Sequence, residues 1–335
     1  MKTCSPHPHQ RGAALLTAMI IVTIVATLAT GMVWQQWHSV EVEAAERERS
    51  QSHWILSGAL DWARLILRED ARDNSRNGNS DNLGEPWAVP LEEARLTSFL
   101  SAEKNVASDN LEGLPDAFLS GRIVDAQSKL NVLSLVDNGK PVPAAVATFT
   151  RLFNLLGLPV SELSLMTTGL AAALATGTAT DGSSSGVDSS AAPLMPQQVS
   201  QLVWLGLSAS TAAALEPYVT ILPVKTTLNL NTASAEAISA SMESLNIASA
   251  RQLVERRARA FFKDIAAANA ALPSGSAPFN AAQHGVGTQY FEVYGRLRLE
   301  RTYVEERSLL QRNGVTVTTI WRTRGAGATD TTVKP

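Results

Sequence analysis

The sequence predicts an α+β protein: a long N-terminal helix packed on an antiparallel sheet, with a large all-α domain inserted into that sheet. Three observations support this fold class. An apolar run near the N-terminus continues into a helical pattern that ends near residue 72. Alternating apolar and polar residues, the pattern of half-buried strands, occur at 119–126 and after residue 290. The stretch between them is rich in alanine and leucine and is broken by glycine and proline, which indicates several helices.

The N-terminus has the features of a membrane anchor that stays on the mature protein. A basic polar segment ends at Gly12 and is followed by an uncharged apolar run, Ala13–Val33. At 1.5 Å per residue such a run spans about 30 Å, the thickness of a bilayer core. A secretory signal peptide has a shorter apolar region with its small-residue cleavage site after it. Lys2 and Arg11 favour a cytoplasmic N-terminus with the bulk of the chain across the membrane.

The residues of this segment leave two alternatives open. An uncleaved signal anchor has the same hydropathy, and a conventional signal peptide could be cut within Ala26–Gly31. All of these interpretations place the remainder of the chain outside the cytoplasm. The topology is therefore a firmer prediction than the processing.

The order of basic segment, glycine and apolar run resembles the leader of type IV pilins and pseudopilins, with cleavage between Gly12 and Ala13. Most mature pilins carry a glutamate at their fifth position, which is thought to pair with the N-terminus of the neighbouring subunit. The corresponding residue here is Thr17, and the first carboxylate of the predicted mature chain is Glu41. The same departure occurs in a minor pseudopilin of the type II secretion system, the general secretion pathway protein K family. The chain resembles that family.

The helical pattern continues beyond the apolar run and predicts one helix over residues 13–72. Ile55, Trp62 and Ile66 lie on one apolar stripe of this helix. The polar segment 73–84 predicts a solvated linker, because its acidic residues do not have the spacing of an EF-hand loop. A short helix is predicted around Leu91–Phe99.

The C-terminal part returns to strand patterns. Residues 291–299 predict a half-buried strand with one solvated face, and Asn313–Gly314 predicts a type I′ hairpin turn. A length of 335 residues suggests about two domains. The predicted boundaries are a leader (1–12), the transmembrane part of the helix (13–33), a pilin-like helix with the first strands (34–136), an inserted helical domain (137–277), C-terminal strands of the pilin-like sheet (278–324) and a disordered tail (325–335).

Two polar motifs flank the inserted domain. Asp125, Gln127 and Asn131 resemble a D-x-Q-x-x-x-N signature of the protein K family, although the same residues also fit simple turn chemistry. The segment around Asn229 and Asn231 resembles the family's second helical segment. These asparagines can bond the local backbone, and Thr232 or Ser234 can cap the following helix.

The second motif also supplies an alternative function, a membrane-anchored DNA-binding or uptake protein. Its sequence, followed by a predicted helix pair and the arginines of Arg251–Arg259, resembles the helix-hairpin-helix modules of DNA-uptake proteins. Those modules bind phosphate through a glycine-containing hairpin. The corresponding hairpin position here, Ser244–Ile247, contains no glycine. The formal net charge of −3 also gives no basic footprint for nucleic acid. We therefore expect these arginines to form a solvated face.

No cofactor and no enzymatic activity are predicted. The resemblance implies an acidic, calcium-associated stretch in the inserted domain, and the equivalent segment Thr167–Asp188 keeps only Asp181 and Asp188. Calcium takes about six to eight oxygen ligands, so these two residues are weak metal candidates in a loop expected to be poorly ordered. The five histidines show no catalytic or metal-ligand spacing, and Cys4, the only cysteine, lies in the predicted leader.

The resemblance implies a structural role in protein secretion. It implies a minor pseudopilin at the tip of the periplasmic pseudopilus of a type II secretion system, which exports folded proteins across the outer membrane. The implied partners are the minor pseudopilins I and J, the major pseudopilin, the prepilin peptidase and the inner membrane, with no nucleic acid. The implied location is a single pass through the inner membrane, with a cytoplasmic N-terminus, a periplasmic bulk and a methylated mature N-terminus.

Overall fold

A computed structural model describes residues 11–96, 117–177, 192–299 and 302–326. The chain divides into two units, residues 1–55 and 56–335. The longest helix, α1, begins in the first unit and ends in the second. The helices are α1 (Arg11–Asn77), α2 (Pro143–Leu156), α3 (Val160–Gly177), α4 (Ala209–Leu215), α5 (Ala235–Ser241), α6 (Ile247–Arg259) and α7 (Ile265–Ala270).

The described part of the first unit is helical and exposes its apolar side chains. An 18-residue window of α1 has a mean hydropathy of 2.2 with none of it buried, so the helix is long and apolar enough to cross a membrane. This fits a single-pass anchor attached to a soluble bulk. Near the end of the unit the surface becomes charged, and Arg47 forms an i,i+4 ion pair with Glu43 at 3.2 Å.

The second unit contains a five-stranded antiparallel sheet and several short strand pairs. The strands are β1 (Leu91–Arg95), β2 (Ala117–Asp125), β3 (Leu130–Asn131), β4 (Val136–Asp137), β5 (Lys140–Pro141), β6 (Val219–Thr220), β7 (Leu228–Asn229), β8 (His284–Gly285), β9 (Tyr290–Leu299), β10 (Thr302–Asn313) and β11 (Thr316–Ala326). The order in the five-stranded sheet is β1-β2-β9-β10-β11. Strands β2 and β9 are neighbours, with Asp125 opposite Phe291, although the whole inserted segment separates them in sequence.

Among its described residues, the second unit has two main cores and a smaller apolar contact between them. On one face of the sheet, Leu60 and Leu67 of α1 pack with Phe291 and Leu310. The larger core lies among the helices of the inserted segment and includes Phe149. On the opposite face of the sheet, Leu222 of the inserted segment packs against Tyr290 and Leu309. The inserted helices therefore cover part of the sheet face that α1 leaves open. The predicted α+β fold class is confirmed.

Three local predictions are wrong. The segment predicted to be a helix at Leu91–Phe99 forms strand β1 over Leu91–Arg95, because it pairs with β2 at the edge of the sheet. Helix α1 continues to Asn77, and three residues of the predicted solvated linker, Asn74, Ser80 and Asp81, are buried. Of the segment predicted to be a poorly ordered loop, residues 167–177 belong to α3.

The C-terminal hairpin differs from its prediction in two details. Its turn residues are Gly314 and Val315, and only Gly314 has a positive φ, of 54°. That pattern fits a type II′ turn, since a type I′ turn needs positive φ at both central positions. Strand β11 runs to Ala326, which pairs with Val304, so the predicted tail cannot begin at Gly325. Residues 327–335 lie outside the described residues.

Candidate functional site at the junction of sheet and inserted helices

A buried aspartate, Asp125, lies where β2 ends and the inserted segment begins. Its carboxylate accepts hydrogen bonds from Gln127 N (2.7 Å), Asn229 Nδ2 (2.8 Å) and Thr232 Oγ1 (2.5 Å). Only 2% of Asp125 is exposed. The two sequence motifs, which are about one hundred residues apart in the chain, therefore meet at one side chain.

The other polar residues of the first motif fasten neighbouring segments to the end of β2. Gln127 donates from Nε2 to Thr227 O at 3.1 Å and accepts at Oε1 from Gln289 N at 2.8 Å. Asn131 donates from Nδ2 to Val224 O at 2.7 Å. Thr227 and Gln289 directly precede β7 and β9, so Gln127 joins the starts of both strands to the end of β2.

A second polar layer joins α1 to the sheet around Arg312 of β10. The Arg312 guanidinium donates to Asp70 of α1, to Asp81 Oδ1 (2.5 Å) and to Thr288 O (3.0 Å). Asn74 donates to Asp81 Oδ1 at 3.0 Å. The side chain of Arg312 is 6% exposed, so this is a buried ion-pair network in which every charged group has partners.

The two layers are continuous through Asp81. Asn229 Nδ2, already bonded to Asp125, also donates to Asp81 O at 3.1 Å, and Thr288 N donates to Asp81 Oδ2 at 2.6 Å. Gly287 lies close to the same loop, because a Cβ atom there would be 2.8 Å from Asn79 O. We call this continuous set of bonds the junction network. It joins α1, the loop after it, β2, β10 and the inserted segment.

Burial dominates the electrostatics of the junction network. Burial raises the pKa of Asp70 and of Asp125 to about 6. It also raises the pKa of Glu85, which lies beside the network in the loop between α1 and β1, to about 7. Arg312 opposes the increase at Asp70, and hydrogen bonds from Thr232 and neighbouring residues oppose it at Asp125. Each of these groups is therefore harder to ionise in the folded chain than in water.

Three of the carboxylates lie close enough together to resemble a metal site. Oxygens of Asp70, Asp81 and Glu85 are all within 4.8 Å of one another. Arg312 supplies a positive charge to the first two, and Trp87 Nε1 donates to Glu85 Oε2 at 2.6 Å. We assign the cluster to the ion-pair network, since its oxygens already have donors from the chain itself.

The second motif does more than bond its local backbone. Ser234 is the N-cap of α5 and accepts from Ala237 N at 3.1 Å, which leaves Thr232 for its bond to Asp125. Asn231 bonds the backbone of Phe262 in both directions, at 2.9 Å and 2.8 Å. The motif therefore serves to join segments that are distant in sequence.

The arginines that suggested DNA binding are partly used within the fold. Arg257 is buried and donates to Leu230 O at 2.5 Å, and Arg256 donates to Ala271 O at 2.8 Å. The prediction of a solvated arginine face is wrong for Arg257, whose pKa burial lowers to about 10. A guanidinium fixed on internal carbonyl groups is not presented to a phosphate backbone.

The predicted processing and metal residues have different positions. Gly12, Ala13 and Thr17 lie in α1, and Thr17 Oγ1 donates to Ala14 O at 3.0 Å within the same helix. The two weak metal candidates, Asp181 and Asp188, lie outside the described residues, so the expectation of no tight calcium site there stays a prediction.

The charged half of the junction network is not among the residues predicted from the sequence. Asp70, Asp81 and Arg312 were missed because charged residues are usually solvated. One signal could have identified Arg312: it follows the buried Leu310 by two residues in a strand, and residues two apart lie on the same face. Nothing local distinguishes Asp81 from the other polar residues of its loop.

Together, a long N-terminal helix on an antiparallel sheet and a helical segment inserted between neighbouring strands define a pilin-like protein. Two segments of the chain, residues 128–224 and 228–288, match family models described as protein K of the type II secretion system. The chain belongs to the type II secretion system protein K family.

The sequences of its relatives align with nearly the whole chain. Type II secretion system protein K of Pseudomonas aeruginosa is 28% identical over 325 residues, covering 93% of this chain and 89% of the relative. The protein of the same name from Klebsiella pneumoniae is 27% identical, covering 95% and 97%. A chain in the crystal structure of the GspK-GspI-GspJ complex from enterotoxigenic Escherichia coli has a TM-score of 0.59 at 19% identity, covering 84% of this chain and 99% of that one. At that identity the structural likeness concerns the fold.

Proposed function

We propose that this protein is a minor pseudopilin at the tip of the periplasmic pseudopilus, with a structural role in the export of folded proteins across the outer membrane. The observation that carries the proposal is the combination of family membership with an apolar N-terminal helix that fits a membrane anchor. We further propose that this helix lies in the inner membrane and that residues after it are periplasmic.

The tip position is supported by the residue at position 17. The resemblance implies that a glutamate at this position pairs with the N-terminus of a neighbouring subunit, and Thr17 has no charge for such a pair. The inserted segment between β2 and β9 adds a helical body that is not part of the sheet. Both features suit a subunit above which no further subunit stacks.

Processing by the prepilin peptidase is part of the proposal. The mature chain begins at the N-methylated Ala13, and Gly12→Val blocks cleavage because a side chain at this position obstructs the peptidase site. N-terminal sequencing and mass analysis of membrane-extracted protein test this. A mature protein that begins near residue 30 would establish an ordinary signal peptide instead.

The partners are tested by assembly. The related structure contains GspK together with GspI and GspJ, and we propose that this chain binds the minor pseudopilins I and J of its own system and contacts the major pseudopilin below them. A fragment of residues 36–335 forms a ternary complex with the periplasmic parts of I and J at micromolar concentration, measured by size-exclusion chromatography with light scattering. Absence of this complex, together with salt-dependent binding to duplex DNA, would favour the DNA-binding alternative.

A further inference from the structure

One face of the sheet is covered over only part of its length. Side chains directly opposite each other in neighbouring strands share a face, so the register gives one row as Arg122, Tyr294, Arg307 and Thr323. The inserted segment packs on this face at Tyr290 and Leu309, which lie to one side of the row along strands β9 and β10. The remaining rows are left without a covering element among the described residues.

This uncovered area is a groove rather than a flat surface. It has a volume of about 730 Å³. Pro90 lines one side, at the end of the sheet that carries β1, and Gln198 of the inserted segment lines the other, where it donates to Thr323 Oγ1 at 3.0 Å. Ser120 and Tyr294 contribute to its lining between these limits.

Most of the arginines on this face already have carboxylate partners. Arg307 donates to Glu292 Oε1 at 2.9 Å and to Glu216 Oε1 at 3.0 Å. Arg298 Nε lies 2.7 Å from Glu93 Oε1. A longer pair, between Arg296 Nε and Glu305 Oε1, measures 3.6 Å. These charges are neutralised within the protein.

Arg122 differs from these arginines. Its guanidinium lies over the ring of Tyr294, with Cζ 4.6 Å from the ring centroid, and its side chain is exposed in the groove. Among the residues that the structure describes, no carboxylate lies within ion-pair distance of it. The aromatic ring restricts the orientation of the guanidinium plane, which reduces the entropy lost when a planar carboxylate binds in bidentate fashion.

We propose that this groove docks an extended acidic segment of a partner pseudopilin, I or J, with one of its carboxylates on Arg122. The inference rests on the proposed function for the identity of the partner. Within the part of the chain that the structure describes, Arg122 is the one positive charge of the groove without a carboxylate partner, which matches an isolated carboxylate on the occupant. A nucleic acid or an anionic membrane presents a row of phosphates and requires several free cations.

The experiment uses the full-length protein in cells that express the whole secretion system. A photo-crosslinking amino acid placed at Ser120 or at Thr323 reports on the occupant of the groove, and mass spectrometry identifies the captured peptide. We expect an acidic segment of pseudopilin I or J. Arg122→Gln lowers the yield about tenfold, the effect of losing a charge-assisted hydrogen bond.

Matched variants separate the groove from general effects on charge or folding. Arg251→Gln removes the same charge from another exposed arginine, on α6, and leaves the crosslink unchanged. Tyr294→Phe keeps the ring beneath the guanidinium and retains the crosslink, whereas Arg122→Lys, which keeps the charge without the planar fork, lowers it. Equal yields from the wild type and Arg122→Gln would overturn the proposal.

The identity of the captured peptide is equally decisive. A peptide from an exported protein, from a second copy of this chain or from the chain's own acidic residues 97–116 would overturn the proposal, as would no capture at all. Co-purification of I and J with the wild-type chain is measured in parallel. If I and J co-purify but the groove captures neither, the docking inference fails and the proposed function stands; if they do not co-purify, the proposed function itself fails.

Discussion

Asp125 is almost fully buried and accepts three hydrogen bonds from two segments of the chain, one from Gln127 and two from Asn229 and Thr232. Those bonds favour its ionised form, yet burial outweighs them and raises its pKa to about 6. The ordinary value is 3.8, so the folded chain holds this proton to a higher pH than the unfolded chain does. The stability that the protonated Asp125 contributes is therefore fully present below pH 3.8 and is lost as the pH rises through about 6.

The variant Asp125→Asn tests this linkage. Asparagine cannot ionise, so it does not lose stability over that pH range, although its amide group makes poorer bonds to the three donors and lowers stability overall. From pH 5 to pH 8 we expect the free energy of unfolding of the variant to increase by about 1 kcal/mol relative to that of the wild type. Denaturant unfolding of the detergent-solubilised chain measures it. A difference that is constant with pH would contradict the assignment.

Gly287 tests the close approach of two backbone segments in the junction network. A Cβ atom at this position would lie 2.8 Å from Asn79 O, a backbone atom that cannot rotate away. Gly287→Ala is expected to destabilise the fold by about 1–3 kcal/mol, because the loop after α1 and the segment between β8 and β9 must separate. Gly325→Ala is the matched control, since no atom lies within 4 Å of its added methyl group. Thermal unfolding curves compare the two variants.

For individual helices and strands, the local sequence pattern predicts the structure where the periodicity of the segment itself decides it. Helix α1 and strands β2 and β9 follow from apolar spacing alone, whereas the hairpin of β10 and β11 is predicted by its Asn313–Gly314 turn signal. Residues 91–95, Leu-Glu-Glu-Ala-Arg, are good helix formers, and the edge of the sheet imposes strand β1 on them through pairing with β2. The solvated face predicted for β9 is also incomplete, because Glu292 lies beneath the inserted segment and is 3% exposed.

Trp87 anchors the loop between α1 and β1, an element that has little regular structure of its own. Its ring packs edge-on to Phe291 at 5.2 Å and its Nε1 bonds Glu85. Trp87→Ala removes a side chain that is 1% exposed and is expected to cost about 3–5 kcal/mol. Trp204→Ala, at a site that is 46% exposed, is the control and should cost under about 1 kcal/mol. Similar losses for both variants would show that Trp87 does not anchor this loop.

Across the folded chain, the sequence reveals the polar motifs but not their pairing. Asp125 and Asn229 each suit local turn chemistry, and no local signal indicates that they bond across about one hundred residues. The fold class follows from patterns that repeat along each element. The junction network depends on the return of the chain to β9 beside β2, a long-range event that single-residue properties do not encode.

The junction network is the main polar connection between two apolar cores, and this predicts how the second unit unfolds. One core lies between α1 and the sheet, and the other lies within the inserted segment. Asn229 is fully buried and bonds both Asp125 and the backbone of Asp81, so the separation of the two cores leaves buried acceptors without donors. We expect the wild type to unfold in a single cooperative transition that includes both cores.

Asn229→Ala is expected to divide this transition into two. The variant loses about 1–3 kcal/mol and removes two of the bonds that make the cores depend on each other, those from Asn229 Nδ2 to Asp125 and to Asp81 O. Calorimetry of the detergent-solubilised chain measures the number of transitions. Asn246→Ala removes the N-cap of α6 within the inserted segment and costs about 1 kcal/mol, so it should lower the transition temperature without dividing it. If the wild type already shows two transitions, or if both variants behave alike, the network does not couple the cores, and the inserted helices would be an independently folding attachment to the sheet.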